Sequence, residues 1–137
     1  MPNWCENEIE IHGPNDEMER FIDLFFTMHK DDGLWIDFYK VAPLGMGEHQ
    51  NGVPKWDSST AVEKWGTKWA PEQKGAWEIN TSDNFTDLVG CFDTAWDAPR
   101  GIYDIMQNWI DEHDLEIYID WFYKEPNMRF AGWLGDD

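Results

Sequence analysis

Polar and apolar positions alternate cleanly from Trp4 to His12: Glu6, Glu8 and Glu10 fall on one side, and Asn7, Ile9 and Ile11 on the other. A period of two with one apolar side predicts a half-buried strand. Gly13-Pro14-Asn15 interrupts it, and the period then changes. Met18, Phe21, Ile22, Phe25 and Met28 recur at helical spacing behind Asp16 and Glu19, a capping-box pattern with acids in the first turn. A helix is therefore predicted to run to about His29, where Asp31-Asp32-Gly33 ends it.

Residues 34–76 carry the weakest pattern. Leu34 to Val41 reads as a short strand, Pro43, Gly45, Gly47, Gly52 and Pro54 mark loop, and Ser58 to Lys64 holds one or two helical turns before Trp65-Gly66-Thr67-Lys68-Trp69. Periodicity then returns. Trp77 to Thr81 and Leu88 to Trp96 form a predicted hairpin about a turn at Ser82-Asp83-Asn84. Asp97 and Pro99 open a second helix with Ile102, Ile105, Met106, Trp109 and Ile110 on its face. In Leu115 to Lys124, Leu115, Ile117, Ile119, Trp121 and Tyr123 take one side, and Glu116, Tyr118, Asp120, Phe122 and Lys124 the other. Met128 to Leu134 returns as a last short strand.

The order without residues 34–76 is β-α-β-β-α-β, which predicts an α+β fold: a ferredoxin-like split βαβ antiparallel sheet with two helices on one face and a tryptophan-rich, irregular insert. The 137 residues fit a single domain. With 42% hydrophobic residues and ten tryptophans the chain can build a core, unlike a disordered acidic tail. No stretch approaches the ~20 apolar residues of a membrane span, and the opening lacks a secretory pattern, so a cytoplasmic location is expected.

Charge changes the picture most. The chain carries 28 acidic and 10 basic side chains, a net −18. Residues 1–37 hold ten acids and two bases, residues 93–137 eleven and three, and residues 38–92 seven and five. The acidity thus belongs to the predicted sheet-and-helix core, and the insert is nearly neutral. With the first and last core strands side by side, Glu6, Glu8 and Glu10 are expected to share an open sheet face with Glu116 and Asp120, with Tyr118 and Phe122 among them. Same-face residues on a strand lie ~6.6–6.8 Å apart, so this is a ladder of like charge. Such a face repels nucleic acid and anionic membrane and favours a basic protein. Solubility alone is the plainer explanation of the same acidity.

Other constellations carry less. Trp65, Lys68 and Trp69 offer either a ligand clamp, two indoles around a planar group with Lys68 on its anion, or an anchor for the insert; the insert's length favours the anchor. Cys5 and Cys91 lie far apart on predicted strands and read as buried, inert thiols. No catalytic motif, metal-ligand spacing or nucleotide-binding glycine pattern occurs, so no enzyme activity, metal or cofactor is expected. Homo-oligomerisation is left open.

Four segments together resemble a known family. Met1-Pro2-Asn3-Trp4-Cys5-Glu6-Asn7, Trp65-Gly66-Thr67-Lys68-Trp69, Phe92-Asp93-Thr94-Ala95-Trp96, and Tyr123-Lys124-Glu125 with Phe130-Ala131-Gly132 are similar, in order, to segments of the YubB-type proteins, a ferredoxin-like family of conjugative plasmids and bacteriophages. Lys64 and Ala70 depart from that pattern, where Asn and Asp are common. The resemblance implies a fold and a mobile-element setting, and no activity. With the acidic face it leads to one expectation: a phage- or plasmid-encoded binding protein that blocks a host nucleic-acid-binding defence complex, of anti-CRISPR or anti-restriction type, by charge mimicry or steric blocking. A nucleotide-sequestering protein using Trp65-Gly66-Thr67-Lys68-Trp69, and an accessory structural protein of a mobile element, are the alternatives.

Overall fold

The alternating N-terminal segment becomes the middle of the sheet. A computed structural model describes residues 3–43, 49–50, 53–54 and 58–135. In chain order the elements are β1 (Trp4–Pro14), α1 (Asn15–Phe25), β2 (Phe26–His29), β3 (Gly33–Ile36), α2 (Phe38–Val41), β4 (His49–Gln50), β5 (Val53–Pro54), α3 (Ser58–Trp65), β6 (Glu72–Gln73), β7 (Glu78–Thr81), β8 (Phe85–Ala95), α4 (Arg100–Glu112), β9 (Tyr118–Glu125) and β10 (Phe130–Trp133). The fold is α+β. Its main sheet has six antiparallel strands in the order β10-β9-β1-β8-β6, with β7 also on β8.

β1 runs between the two other long strands, and its alternation decides the faces. Cys5, Asn7, Ile9 and Ile11 are buried, as are Leu88 and Phe92 of β8 and Ile119, Trp121 and Tyr123 of β9. Met18, Phe21 and Phe25 of α1 and Ile102, Met106 and Ile110 of α4 join them in one cluster. Burial of this apolar surface, at roughly 25 cal/mol per Å², is the main force holding helices to sheet. Polar residues are built into that layer as well, Asn7, Thr94 and Glu125 among them. The Asn7 amide donates to Thr94 Oγ1 (3.0 Å) and to the Cys5 and Phe92 carbonyls, and its oxygen accepts from the Trp121 indole N–H (2.9 Å). It ties β1, β8 and β9 together, and a buried amide is tolerated because its partners are present.

Several expected boundaries are corrected. The first helix ends at Phe25, not His29. Phe26 has an extended backbone (φ −123°, ψ 159°), and Phe26–His29 pairs with Gly33–Ile36 as a hairpin. The expected strand to Val41 stops at Ile36, because the Asp37 side chain accepts from the Tyr39 and Lys40 N–H groups and opens α2. Neither long helix has the predicted cap: Pro14 precedes α1 and Pro99 precedes α4, with no capping side-chain bond. Asn15 instead bonds the Ser82 and Asp83 carbonyls, fixing α1 to the β7–β8 turn. Among the described residues there are four helices, where two helices and the turns at residues 58–64 were expected, and the main sheet has six strands, where five were expected outside the insert.

The described part of the expected insert holds regular elements, α2, α3 and β6 among them, and it is pinned rather than loose. A Cβ on Gly101 would lie 2.0 Å from the Lys64 carbonyl oxygen, so α3 meets the start of α4 backbone to backbone. Trp77 lies across β8, where a Cβ on Gly90 would sit 2.2 Å from its ring. The part of the insert at residues 44–48, 51–52 and 55–57 lies outside the described residues. Among the described residues no helix is long and apolar enough to cross a membrane.

Candidate functional site

With the core on one side, the other side of the sheet is left to the alternate residues of each strand. On β1 these are half-buried Glu6 and exposed Glu8, Glu10 and His12. The register sets their neighbours. Glu10 faces Asp120 on β9 and Val89 on β8; Glu8 faces Phe122 and Cys91; Glu6 faces Lys124 and Asp93; His12 faces Tyr118 and Asp87. Six of the seven residues expected on this face, Glu6, Glu8, Glu10, Tyr118, Asp120 and Phe122, therefore lie together.

Glu116 does not join the ladder. β9 begins at Tyr118, and the Glu116 N–H donates to the Glu17 carboxylate of α1 (2.7 Å), which holds this residue at the helix rather than beside β1. The sequence pattern has the parity right and the strand two to three residues too long.

Two carboxylates on the face have local partners. Asp93 pairs with Lys74 (3.1 Å), and that bond holds the Lys74 ammonium above its ordinary range. Asp87 meets His12 Nδ1 (2.5 Å), whose ring stacks on Phe85 at 5.1 Å. Glu8, Glu10, Glu78 and Asp120 take part in no ion pair or side-chain hydrogen bond among the described residues. These four line a groove of about 570 Å³ across the open face. Val89, Gly90 and Cys91 contribute to its floor, Lys74, Gly75 and Ala76 to one side, and Phe122 and Trp133 to the other. Sequence reasoning missed the β8 and β10 contributions. The signal was there for β8, since Asp87, Val89, Cys91 and Asp93 alternate, but Trp133 joins only through the pairing of β10 with β9.

Cys91 is exposed in this groove, which corrects the expectation of a buried thiol: its parity on β8 turns it away from the core. Cys5 is buried as expected. Burial, with the Asp97 charge second, pushes its thiol from 9.0 up to about 12, so it is not a thiolate at neutral pH. Among the described residues no group of three or more His, Cys, Asp or Glu is arranged to hold a metal ion.

Trp65, Lys68 and Trp69 are not brought together as a clamp. Trp65 is fully buried, its indole N–H donates to the Ala42 carbonyl (2.8 Å), and Phe38 and Tyr39 pack on its ring. Trp69 lies elsewhere, against Trp4 at 6.2 Å, with the Lys68 ammonium 5.4 Å from its ring centre. Between them Thr67 donates to the Ala95 carbonyl (2.7 Å). Trp65 and Thr67 thus tie the segment to Ala42 and to Ala95 of β8.

The segments that carry the family resemblance meet at this end of the molecule. Trp4 touches Trp69, the Trp96 N–H donates to Asn3, Asn7 bonds Thr94, and the Arg100 guanidinium donates to the Tyr123 hydroxyl (2.9 Å). They form a structural tie across β1, β8, β9 and α4, separate from the groove residues. No family model matches the chain, and no curated protein or solved structure does.

Proposed function

We propose that the chain is a small acidic binding protein whose open sheet face occupies the basic nucleic-acid-binding surface of a partner protein. The observation that carries this reading is the group of carboxylates Glu8, Glu10 and Asp120, held side by side on adjacent strands and without an ion pair among the described residues. Like charges directly opposed across a sheet cost about 0.2–1 kcal/mol per pair, and a face meant only to stay wet has cheaper arrangements. A complementary basic surface turns that cost into attraction and raises the on-rate. Aromatic side chains alone would suit single-stranded nucleic acid, but among these carboxylates they face a strongly repelled ligand.

The finer assignments rest on the resemblance and on topology. β1, β7, β8 and β9 follow the neighbour order of a ferredoxin-like sheet, β9-β1-β8-β7, and we take β6 and β10 as additions to it. The mobile-element setting comes from the four resembling segments. In that setting the partner is a host defence complex that grips DNA or RNA, of restriction or CRISPR type, in the host cytosol, and the chain acts as an inhibitor by blocking its groove.

A pull-down from a bacterial host at low and at high salt tests the reading, with the wild-type chain and with Glu8→Lys/Glu10→Lys. The wild type retains a nucleic-acid-binding protein at low salt, loses it at high salt, and the variant retains none while staying folded. Equal capture by the variant sinks the reading.

A further inference from the structure

The groove on the open face is not evenly acidic, and its composition narrows what enters it. Glu8 on β1, Phe122 on β9 and Trp133 on β10 form one row across three strands, because Glu8 faces Phe122 and Phe122 faces Trp133. The two rings lie 4.9 Å apart. Trp133 is 50% exposed, and Val89 on the floor 39%. The next row along holds Glu10 and Asp120, a step of ~6.6–6.8 Å along the strands. An apolar wall therefore stands directly beside unpaired carboxylates. Among the described residues that line the groove the single cation is Lys74, and Asp93 engages it.

A face that only keeps the chain in solution has no use for an exposed indole beside carboxylates. A second copy of the chain, nucleic acid or an anionic membrane would bring more negative charge to a surface that already belongs to a −18 chain. The chemistry that satisfies both halves of the groove is a cation on an apolar stem. Arginine fits better than lysine for three reasons: its planar guanidinium stacks on aromatic faces, it is more weakly hydrated, and its fork of donors reaches more than one carboxylate.

We propose that this groove is an arginine subsite, which takes an arginine side chain from the partner's nucleic-acid-binding surface. Its stem and guanidinium plane lie against Phe122 and Trp133, and its N–H groups reach the carboxylates of Glu8, Glu10 and Asp120. The inference rests on the reading that the open face binds a basic protein. It adds that the face distinguishes the partner's arginines from its lysines, so it reads side-chain shape as well as charge.

The test uses the full chain and two synthetic peptides of equal length, one carrying arginines and the other lysines at the same positions. Affinity is measured by calorimetry at several salt concentrations, and the Trp133 indole N–H, assigned through Trp133→Phe, is followed by NMR. The arginine peptide is expected to bind about 2- to 5-fold tighter than the lysine peptide, the range of one exposed cation–π contact, and to shift the Trp133 signal. Trp133→Leu keeps an apolar side chain and removes the indole, and it is expected to narrow the difference between the two peptides without changing the salt dependence. Equal, salt-sensitive binding of both peptides by the wild type would overturn the arginine subsite and leave face-level binding standing. No binding of either peptide, or undiminished binding by Glu8→Lys/Asp120→Lys, overturns both. Should Trp133→Leu fail to fold, the wild-type comparison of the two peptides still decides.

Discussion

Replacing Asp120 by asparagine removes one member of a carboxylate pair directly opposed across β1 and β9, Glu10 with Asp120. Neither has a cation to offset it among the described residues, so the change relieves repulsion without breaking a bond. Two unit charges about 5 Å apart in water repel by ~0.8 kcal/mol, and favourable cross-strand pairs on sheets are of the same order, ~0.2–1 kcal/mol. A chain of 137 residues, at ~2.1 cal/mol/K of unfolding entropy per residue, gains ~0.3 kcal/mol of unfolding entropy per kelvin. Asp120→Asn should therefore raise the melting temperature by about 1–3 °C at low salt. In about 1 M salt the Debye length falls to ~3 Å and the gain should largely vanish. Thermal melts followed by circular dichroism at the two salt concentrations provide the assay. The same variant should bind basic peptides more weakly, since the charge that strains the sheet is the charge offered to the partner. A lower melting temperature, or a gain that survives high salt, refutes the repulsion.

Further predictions concern the interior and the two thiols. Asn7→Ala leaves the Trp121 indole N–H without its acceptor and opens a gap between three strands, which should cost about 2–4 kcal/mol in a urea melt. Gly101→Ala drives a Cβ into the Lys64 carbonyl, a backbone neighbour that cannot rotate away; a loss of about 1–3 kcal/mol or more is expected, by the same assay. A thiol reagent should label the native chain once, at Cys91, and twice after unfolding. Because Cys5 titrates near 12 folded and near 9.0 unfolded, the unfolded chain sheds this proton first, so stability should fall as pH rises from about 9 towards 12; Cys5→Ala should flatten that part of the stability curve.

The legible parts of the fold were those written in a short period. The alternation of Glu6, Glu8 and Glu10 against Ile9 and Ile11 gave the strand, its buried face and three of the site's carboxylates, because a strand's two faces differ by one residue. Asp120 and Phe122 followed in the same way. The error at Phe26–His29 arose because Met28 continues the helical spacing, although Met28 is in fact exposed on a hairpin. β6 has two residues and no pattern of its own; it is recognised only through its pairing with Asp93 and Phe92 of β8. Trp65 and Trp69 offered a clamp or an anchor in the sequence, with the anchor favoured, and tertiary packing sends the two indoles to different neighbours. The groove itself was beyond reach, since it depends on the register that sets Trp133 beside Phe122 and on the segment at Lys74–Ala76 that borders it.

Displacement from DNA tests the central claim most directly. Host proteins are bound to a column of immobilised duplex DNA and challenged with the chain at low salt. The acidic-face account predicts that the wild type elutes a defined set of DNA-binding proteins and forms a complex with at least one of them. It predicts that Glu8→Lys/Glu10→Lys/Asp120→Lys, folded by circular dichroism, elutes none. Elution by the charge-reversed chain to the same extent, or no elution by the wild type, would contradict it.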